Sequence, residues 1–334
     1  MNTQIEMQLA IDASGPGLAE RAAAAQAALE AATERLRQLE ARLTRFAPSS
    51  ELSALNRASG TWFSASTELF EVVRLAAEAR AASGGLFDPT ILNALEAAGY
   101  DRTFDEIGQR ELGPRPAGAT QRSGPQAGER IDLDPARRAI RLEAGARLDL
   151  GGIAKGWIVD QVIDGPLSGY KNALVSAGGD LRLRGGPQPG QPWSVGIRDP
   201  RADMQPPPDE PLPPIAVLLL GGGALATSGT ARRWWLVEGQ RRHHLIDPRT
   251  GLPADQPAAS APAGRILSAT ALAPLCWQAD ILAKLLLLAP PDQHASLAPL
   301  QTPSAWLLVL EGGRLLPSPN LKNYLTKEAF YGRS

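Results

Sequence analysis

The chain has 334 residues, 43% of them hydrophobic, and a formal net charge of −1. That is ample material for a core, with no excess of either sign to hold nucleic acid or an anionic membrane surface. A lone cysteine, Cys276, and three histidines leave nothing for a disulfide framework, a cysteine zinc cluster or a histidine-rich metal site.

"TQIEMQLAI" alternates polar and apolar residues, the pattern of a half-buried strand. Residues 18–43 are alanine-rich, with Leu29, Leu36, Leu39 and Leu43 on one helical stripe. Residues 66–83 predict a second helix with Ser66 as its N-cap and Gly84-Gly85 beyond its end. Residues 113–129 are too polar to order themselves and are expected as a flexible surface loop. Strand-like runs follow at 173–179, 193–197, 215–223, 266–273 and 305–313, interrupted at 199–214 by a proline-rich, exposed second loop. "CWQADILAKLLLLAP" (276–290) predicts a buried helix ended by Pro290. Strands and helices without a regular βαβ beat, and no internal repeat, favour an α+β fold, taken here as a single domain over 1–334. No run reaches the ~18 apolar residues of a membrane span, so no integral membrane segment is expected. The start lacks the layout of a secretory signal. As written the chain is expected in the cytoplasm, or in the periplasm if a leader precedes Met1.

Several stretches carry residues suited to chemistry. In "LDLGGIAKGWIVDQVI" (148–163), Gly151-Gly152 break a strand-like run and a helix follows, so free N–H groups and a positive dipole end suit a phosphate. Lys155 adds a charge there and Asp149 precedes the turn. The string matches neither dinucleotide nor P-loop fingerprint, and a tight turn with a solvated lysine is the plainer account. In "RRHHLIDPRTGLPA" (241–254), turn signals place His244 at a strand end facing a loop, where an imidazole can take a proton near neutral pH. The plainer account is a surface hairpin with an incidental histidine pair. "ALATSGT" puts Ser228 and Thr230 on a sharp turn around Gly229, "SAGGD" sets Gly178-Gly179 beside Asp180 for close ligand approach, and "SGGLFDPT" places Asp88 beside Phe87. In the last helix, Asp280 and Lys284 share one face among Ile281, Leu282, Leu285 and Leu286. Burying both is costly unless they are paired or used.

Taken in order, "MNT", "FAPSSELSALN" (46–56), "SGGLFDPT", "LDLGGIAKG", "SAGGD", "TSG", "HLIDPRTGLP" and the Asp280 helix give a chain that resembles the ApbE-type FAD:protein FMN transferases over nearly its whole length. The resemblance implies that family's α+β architecture, with FAD in a cleft between two layers. It implies an enzyme that splits FAD at its diphosphate, moves FMN to a threonine or serine hydroxyl of a target flavoprotein, and releases AMP. By the same resemblance His244 is the base for the hydroxyl proton. The Gly152 carbonyl and the Asp280 carboxylate would hold Mg²⁺, a hard ion that takes oxygen ligands. Met1, Phe46, Leu86, Phe87, Asp88, Asp149, Lys155 and Leu245 would contact FAD, with Asp180 and Ser228 in the same set.

Two positions depart from that family. Asn2 replaces a usual glycine, a minor change. Lys284 replaces a threonine whose hydroxyl usually joins the metal. An ammonium has no lone pair to give, and at ~4 Å and an effective dielectric of ~20 it repels a divalent ion by roughly 8 kcal/mol. Three readings follow: Lys284 replaces the metal and acts with Asp280 in catalysis; Lys284 swings aside and a water completes a weakened Mg²⁺ site; or the protein keeps FAD without transferring FMN. A non-catalytic FAD-binding protein, or an FAD pyrophosphatase with altered metal dependence, is therefore the alternative function.

Overall fold

The structure, a computed structural model, describes residues 3–14, 16–108, 111–112, 131–188, 190–204, 213–237, 239–254, 264–297 and 304–330. Met1 and Asn2, the whole expected loop at 113–129, and residues 205–212 of the second loop lie outside the described residues.

The alternating runs assemble into a seven-stranded sheet, antiparallel throughout. Its order is Ile5–Leu9, Ala173–Ala177, Asp180–Arg184, Gly222–Gly229, Ile266–Ala273, Ala305–Leu310 and Leu315–Pro317. Period-two alternation divides these strands between two cores. Ala173, Val175, Ala177, Ala224, Ala226, Ala269 and Ala271 face a helical layer. Leu174, Leu181, Leu183, Leu225, Leu272, Leu307 and Val309 face a smaller sheet of Trp193–Ile197, Ala216–Leu220 and Leu325–Phe330. Being covered on both sides, Ile266–Ala273 is buried at every position. The fold is therefore α+β, as its composition of elements predicted.

The helices are α1 (Leu18–Leu43), α2 (Glu51–Arg57), α3 (Thr67–Ala82), α4 (Leu92–Ala97), α5 (Phe104–Ile107), α6 (Ala154–Asp164) and α7 (Cys276–Leu288). The stripe of α1 buries Leu36, Leu39 and Leu43, while Leu29 is half-buried at its margin. Ser66 caps α3, its hydroxyl accepting from Leu69 N at 3.2 Å. Helices α6 and α7 lie on the sheet face lined mostly by alanine, where small side chains let helix axes approach closely. They also meet each other. A Cβ on Gly156 would stand 2.6 Å from the backbone C and O of Cys276 and N of Trp277, so only glycine fits there.

Two local expectations need correction. Leu148–Leu150 is not a strand. It is held extended by one side chain, Asn56, which accepts from Leu148 N at 2.7 Å and donates to Leu148 O at 2.9 Å. Ser228 and Gly229 do not form a turn but end the Gly222–Gly229 strand, Ser228 pairing in register with Ala269. Gly178-Gly179 does turn: it is a two-residue hairpin with φ of 67° and 98°, the left-handed pair that matches strand twist.

Gly156→Ala is expected to cost about 1–3 kcal/mol, because the added methyl meets backbone rather than a yielding side chain. A urea midpoint equal to that of the parent would contradict this.

Candidate active site

The polar centre of the molecule lies where α6, α7 and the large sheet converge. Lys155 enters from the first turn of α6, Asp180 from the start of its strand, and Asp280 and Lys284 from one face of α7. The Lys155 ammonium pairs with Asp180 and stands 3.8 Å from Asp280 Oδ2. The Lys284 ammonium pairs with Asp280 Oδ1. Asp180 Oδ1 also accepts from Thr227 N at 3.3 Å. The Asp280 side chain is 1% exposed, yet its Oδ2 has no hydrogen-bond partner among the described residues. Burial pulls the Lys155 pKa down; Asp280 opposes this, while the charges of Lys284 and Arg233 add to it. Three cations thus stand against two carboxylates, an excess suited to a bound anion.

Side chains carry the formal charges, and part of the helix end is already engaged. The Gly151 N–H is taken by Asp149 Oδ1 at 2.8 Å, and those of Ile153 and Ala154 by the Leu150 carbonyl at 3.0 and 2.7 Å. The expected row of free amides is therefore spent in part, at Gly151, Ile153 and Ala154. At Gly178, Thr3 fills the space a Cβ would need, while Gly179 faces open space.

The opposite wall is built by two loops. Gly152 lies under Phe87 and the Lys284 stem: a Cβ there would be 3.0 Å from Phe87 Cε2 and 3.4 Å from Lys284 Cε. Asp149 N donates to the Pro89 carbonyl at 2.8 Å, joining the loops. Phe87 and Asp88 are buried, and Leu86 is half-buried against the core. Asp88 is engaged internally, accepting from Thr90 N at 2.8 Å and Thr90 Oγ1 at 2.7 Å and pairing with Arg80 at 3.1 Å. Asp149 pairs with Arg45 at 2.6 Å. These two carboxylates shape the loops that carry Phe87 and Gly152.

Beyond Arg45 an aromatic shelf begins. The guanidinium carbon lies 4.1 Å from the Phe46 ring centre and 4.7 Å from that of Tyr100. Tyr100 meets Phe46 edge-on at 5.8 Å, stacks on Trp235 at 5.5 Å, and approaches His244 at 6.5 Å. Phe46 is among the few large apolar side chains left exposed, at 38%. His244 follows the Gln240–His243 strand at a bend, half-buried, its Nδ1 enclosed and without a hydrogen-bond partner among the described residues. Leu245 beside it is buried, and its N–H donates to His243 Nδ1 at 3.3 Å. Burial holds the His244 pKa well below 6.5, with the charges of Arg233, His243 and Lys284 acting in the same direction. The imidazole is therefore neutral and free to accept a proton near pH 7.

Lys155, Asp180, Asp280, Lys284, Gly152, Phe87 and His244 are thus gathered in one region, with Asp149 and Phe46 linked to it through Arg45. Ser228 is buried within its strand, and Met1 lies outside the described residues. Arg45, Tyr100, Trp235 and Arg233 belong to the site but escape sequence reasoning. Only the adjacency of Arg45 to Phe46 offers a local signal. The donor set does not suit Mg²⁺, which demands near-octahedral oxygen ligation. One Asp280 oxygen already faces an ammonium, a second ammonium stands near the other, and no group of three or more His, Cys, Asp or Glu side chains placed to hold a metal ion occurs among the described residues.

The ApbE family model matches residues 1–307. The chain belongs to the ApbE family. An FAD:protein FMN transferase of Treponema pallidum is 31% identical over 271 residues, 77% of this chain and 72% of that relative. One of Vibrio cholerae is 28% identical over 183 residues, 54% of this chain, and the match spans 50% of that relative's length. Among solved structures, the ApbE protein of Thermotoga maritima superposes with a TM-score of 0.74 at 24% identity, covering 98% of this chain and 100% of the other. The flavin transferase ApbE of Vibrio cholerae gives 0.72 at 24% identity, over 97% and 96%. The fold is the α+β fold of the ApbE flavin transferases.

Because folding depresses the His244 pKa, the unfolded chain takes up its proton first as pH falls below 6.5. Stability from this group is complete above pH 6.5 and declines below it, by up to about 1.4 kcal/mol per pH unit. An NMR titration should place the His244 midpoint below 6.5; a midpoint at or above that value would contradict the burial argument.

Proposed function

We propose that this chain is an FAD:protein FMN transferase that uses FAD as substrate and a target flavoprotein as acceptor. The observation that carries the reading is the buried group of paired charges Lys155, Asp180, Asp280 and Lys284, with Arg233 adding positive charge and neutral His244 nearby. In the transfer, the oxygen of an acceptor threonine or serine bonds to the phosphorus bearing the riboflavin moiety. The bond from that phosphorus to the bridging oxygen breaks, and AMP departs with the electron pair. The hydroxyl proton passes to His244, whose low proton affinity keeps it available as a base. Lys155 and Lys284 neutralise the charge that grows on the equatorial and bridging oxygens, in a site dry enough to strengthen the attraction. The Tyr100–Phe46 shelf offers apolar surface for the isoalloxazine ring. No described helix is long and apolar enough to cross a membrane.

Lys284 takes the part that Mg²⁺ would have in neutralising the diphosphate, and Asp280 holds its ammonium in position. The purified protein, incubated with FAD and a flavoprotein domain bearing an exposed acceptor threonine, should yield a covalent FMN adduct and AMP. Chelator is expected to change the rate by less than about twofold, whereas Lys284→Ala lowers kcat by about 10²–10³. Lys284→Thr restores activity only with added Mg²⁺. Absence of both adduct and AMP, with and without Mg²⁺, would rule out transfer. Loss of wild-type activity in chelator would rule out the role given to Lys284.

A further inference from the structure

One buried carboxylate near the site takes no part in the chemistry above. Asp160 lies on α6, five residues after Lys155, with its side chain 5% exposed. Its Oδ1 accepts from Cys276 N at 2.9 Å and its Oδ2 from Trp277 N at 3.0 Å. These are the first two amides of α7, orphan donors that the N-cap residue Leu275 has no side chain to satisfy. A carboxylate at a helix N-terminus also complements the dipole. The third contact is from the Arg182 guanidinium to Oδ1 at 3.1 Å. Arg182 lies two residues beyond Asp180 on the same sheet face, and ion pairs tie strand to helix: Asp180 to Lys155, and Arg182 to both Asp160 and Asp164. One turn before Asp160, Gly156 leaves out a Cβ that would meet the Cys276–Trp277 backbone at 2.6 Å.

We infer that Asp160 is a positioning residue, which clamps the start of α7 onto α6 and so sets how far Asp280 and Lys284 stand from Lys155. The helix geometry makes the lever short. Asp280 follows the clamped amide of Cys276 by one turn, and Lys284 by two, about 6 and 12 Å along the axis. The Lys155–Asp280 separation of 3.8 Å spans this junction, and any slide of α7 along α6 changes it directly. A cap acting only within its own helix would have no such reach.

The inference rests on the reading of the site as a diphosphate cradle, and its test separates the two. Binding of FAD and of riboflavin, which has no diphosphate, is followed by flavin fluorescence in the wild type, Asp160→Asn and Asp160→Ala, with folding checked by circular dichroism. Asp160→Asn keeps one accepting oxygen and sets an amide NH₂ against the other N–H. It is expected to weaken FAD about tenfold, roughly 1.4 kcal/mol, and to leave riboflavin unchanged. Asp160→Ala, if it folds, shows the same split more strongly. An unchanged FAD affinity in the folded asparagine variant would overturn the inference. So would equal weakening of FAD and riboflavin, which is what general loosening of the fold produces. Failure of the wild type to bind FAD would instead overturn the functional reading beneath it.

Discussion

The attraction between Lys284 and Asp280, reinforced by Lys155 and Asp180, is what allows charge to remain in the most apolar helix of the molecule. Eight residues of α7 besides Asp280 are buried, and an unpaired carboxylate among them would cost several kcal/mol. Pairing removes most of that cost but not all, since Asp280 Oδ2 is still without a hydrogen bond among the described residues. The incomplete satisfaction is informative. A buried carboxylate oxygen without a hydrogen bond calls for an explanation, and capacity kept for a bound group is one that fits the proposed function.

The rest of the architecture serves this pairing. Small residues on one face of the large sheet bring α6 and α7 close to it, while the larger leucines anchor the opposite face to a second sheet. The division gives the site a rigid floor. Its walls are loops, Phe87–Thr90 and Asp149–Gly152, joined by the Asp149–Pro89 hydrogen bond and each stiffened by a carboxylate with an internal partner. Asp88 and Asp149, which family resemblance assigns to a ligand, are here occupied in shaping the backbone of their own loops.

What was legible in the sequence was local. The Ser66 cap, the Leu36–Leu39–Leu43 stripe and the strand at 266–273 depend on neighbours within a turn or two, and pattern alone locates them. What was not legible depends on distant partners. Asn56 straightens Leu148 from 92 residues away, Trp235 donates to the Ala98 carbonyl at a separation of 137, and Asp160 caps a helix that begins 116 residues later. None has a periodicity to betray it. The free-amide turn at Gly151-Gly152 was legible only in part: its local signal is real, but Asp149 and Leu150 engage the Gly151, Ile153 and Ala154 donors. The site residues themselves were recognisable chiefly through ordered family motifs, and the structure adds the shelf of Arg45, Tyr100 and Trp235 that those motifs omit.

The central claim is that ammonium groups, rather than a divalent ion, meet the diphosphate. A crystal structure of the protein with FAD, grown in the presence of Mn²⁺ and measured at the manganese edge, addresses it most directly. The account predicts diphosphate oxygens within about 3 Å of the Lys155 and Lys284 nitrogens and no anomalous peak beside Asp280. A manganese peak on the Asp280 carboxylate, with Lys284 turned away from it, would contradict the account.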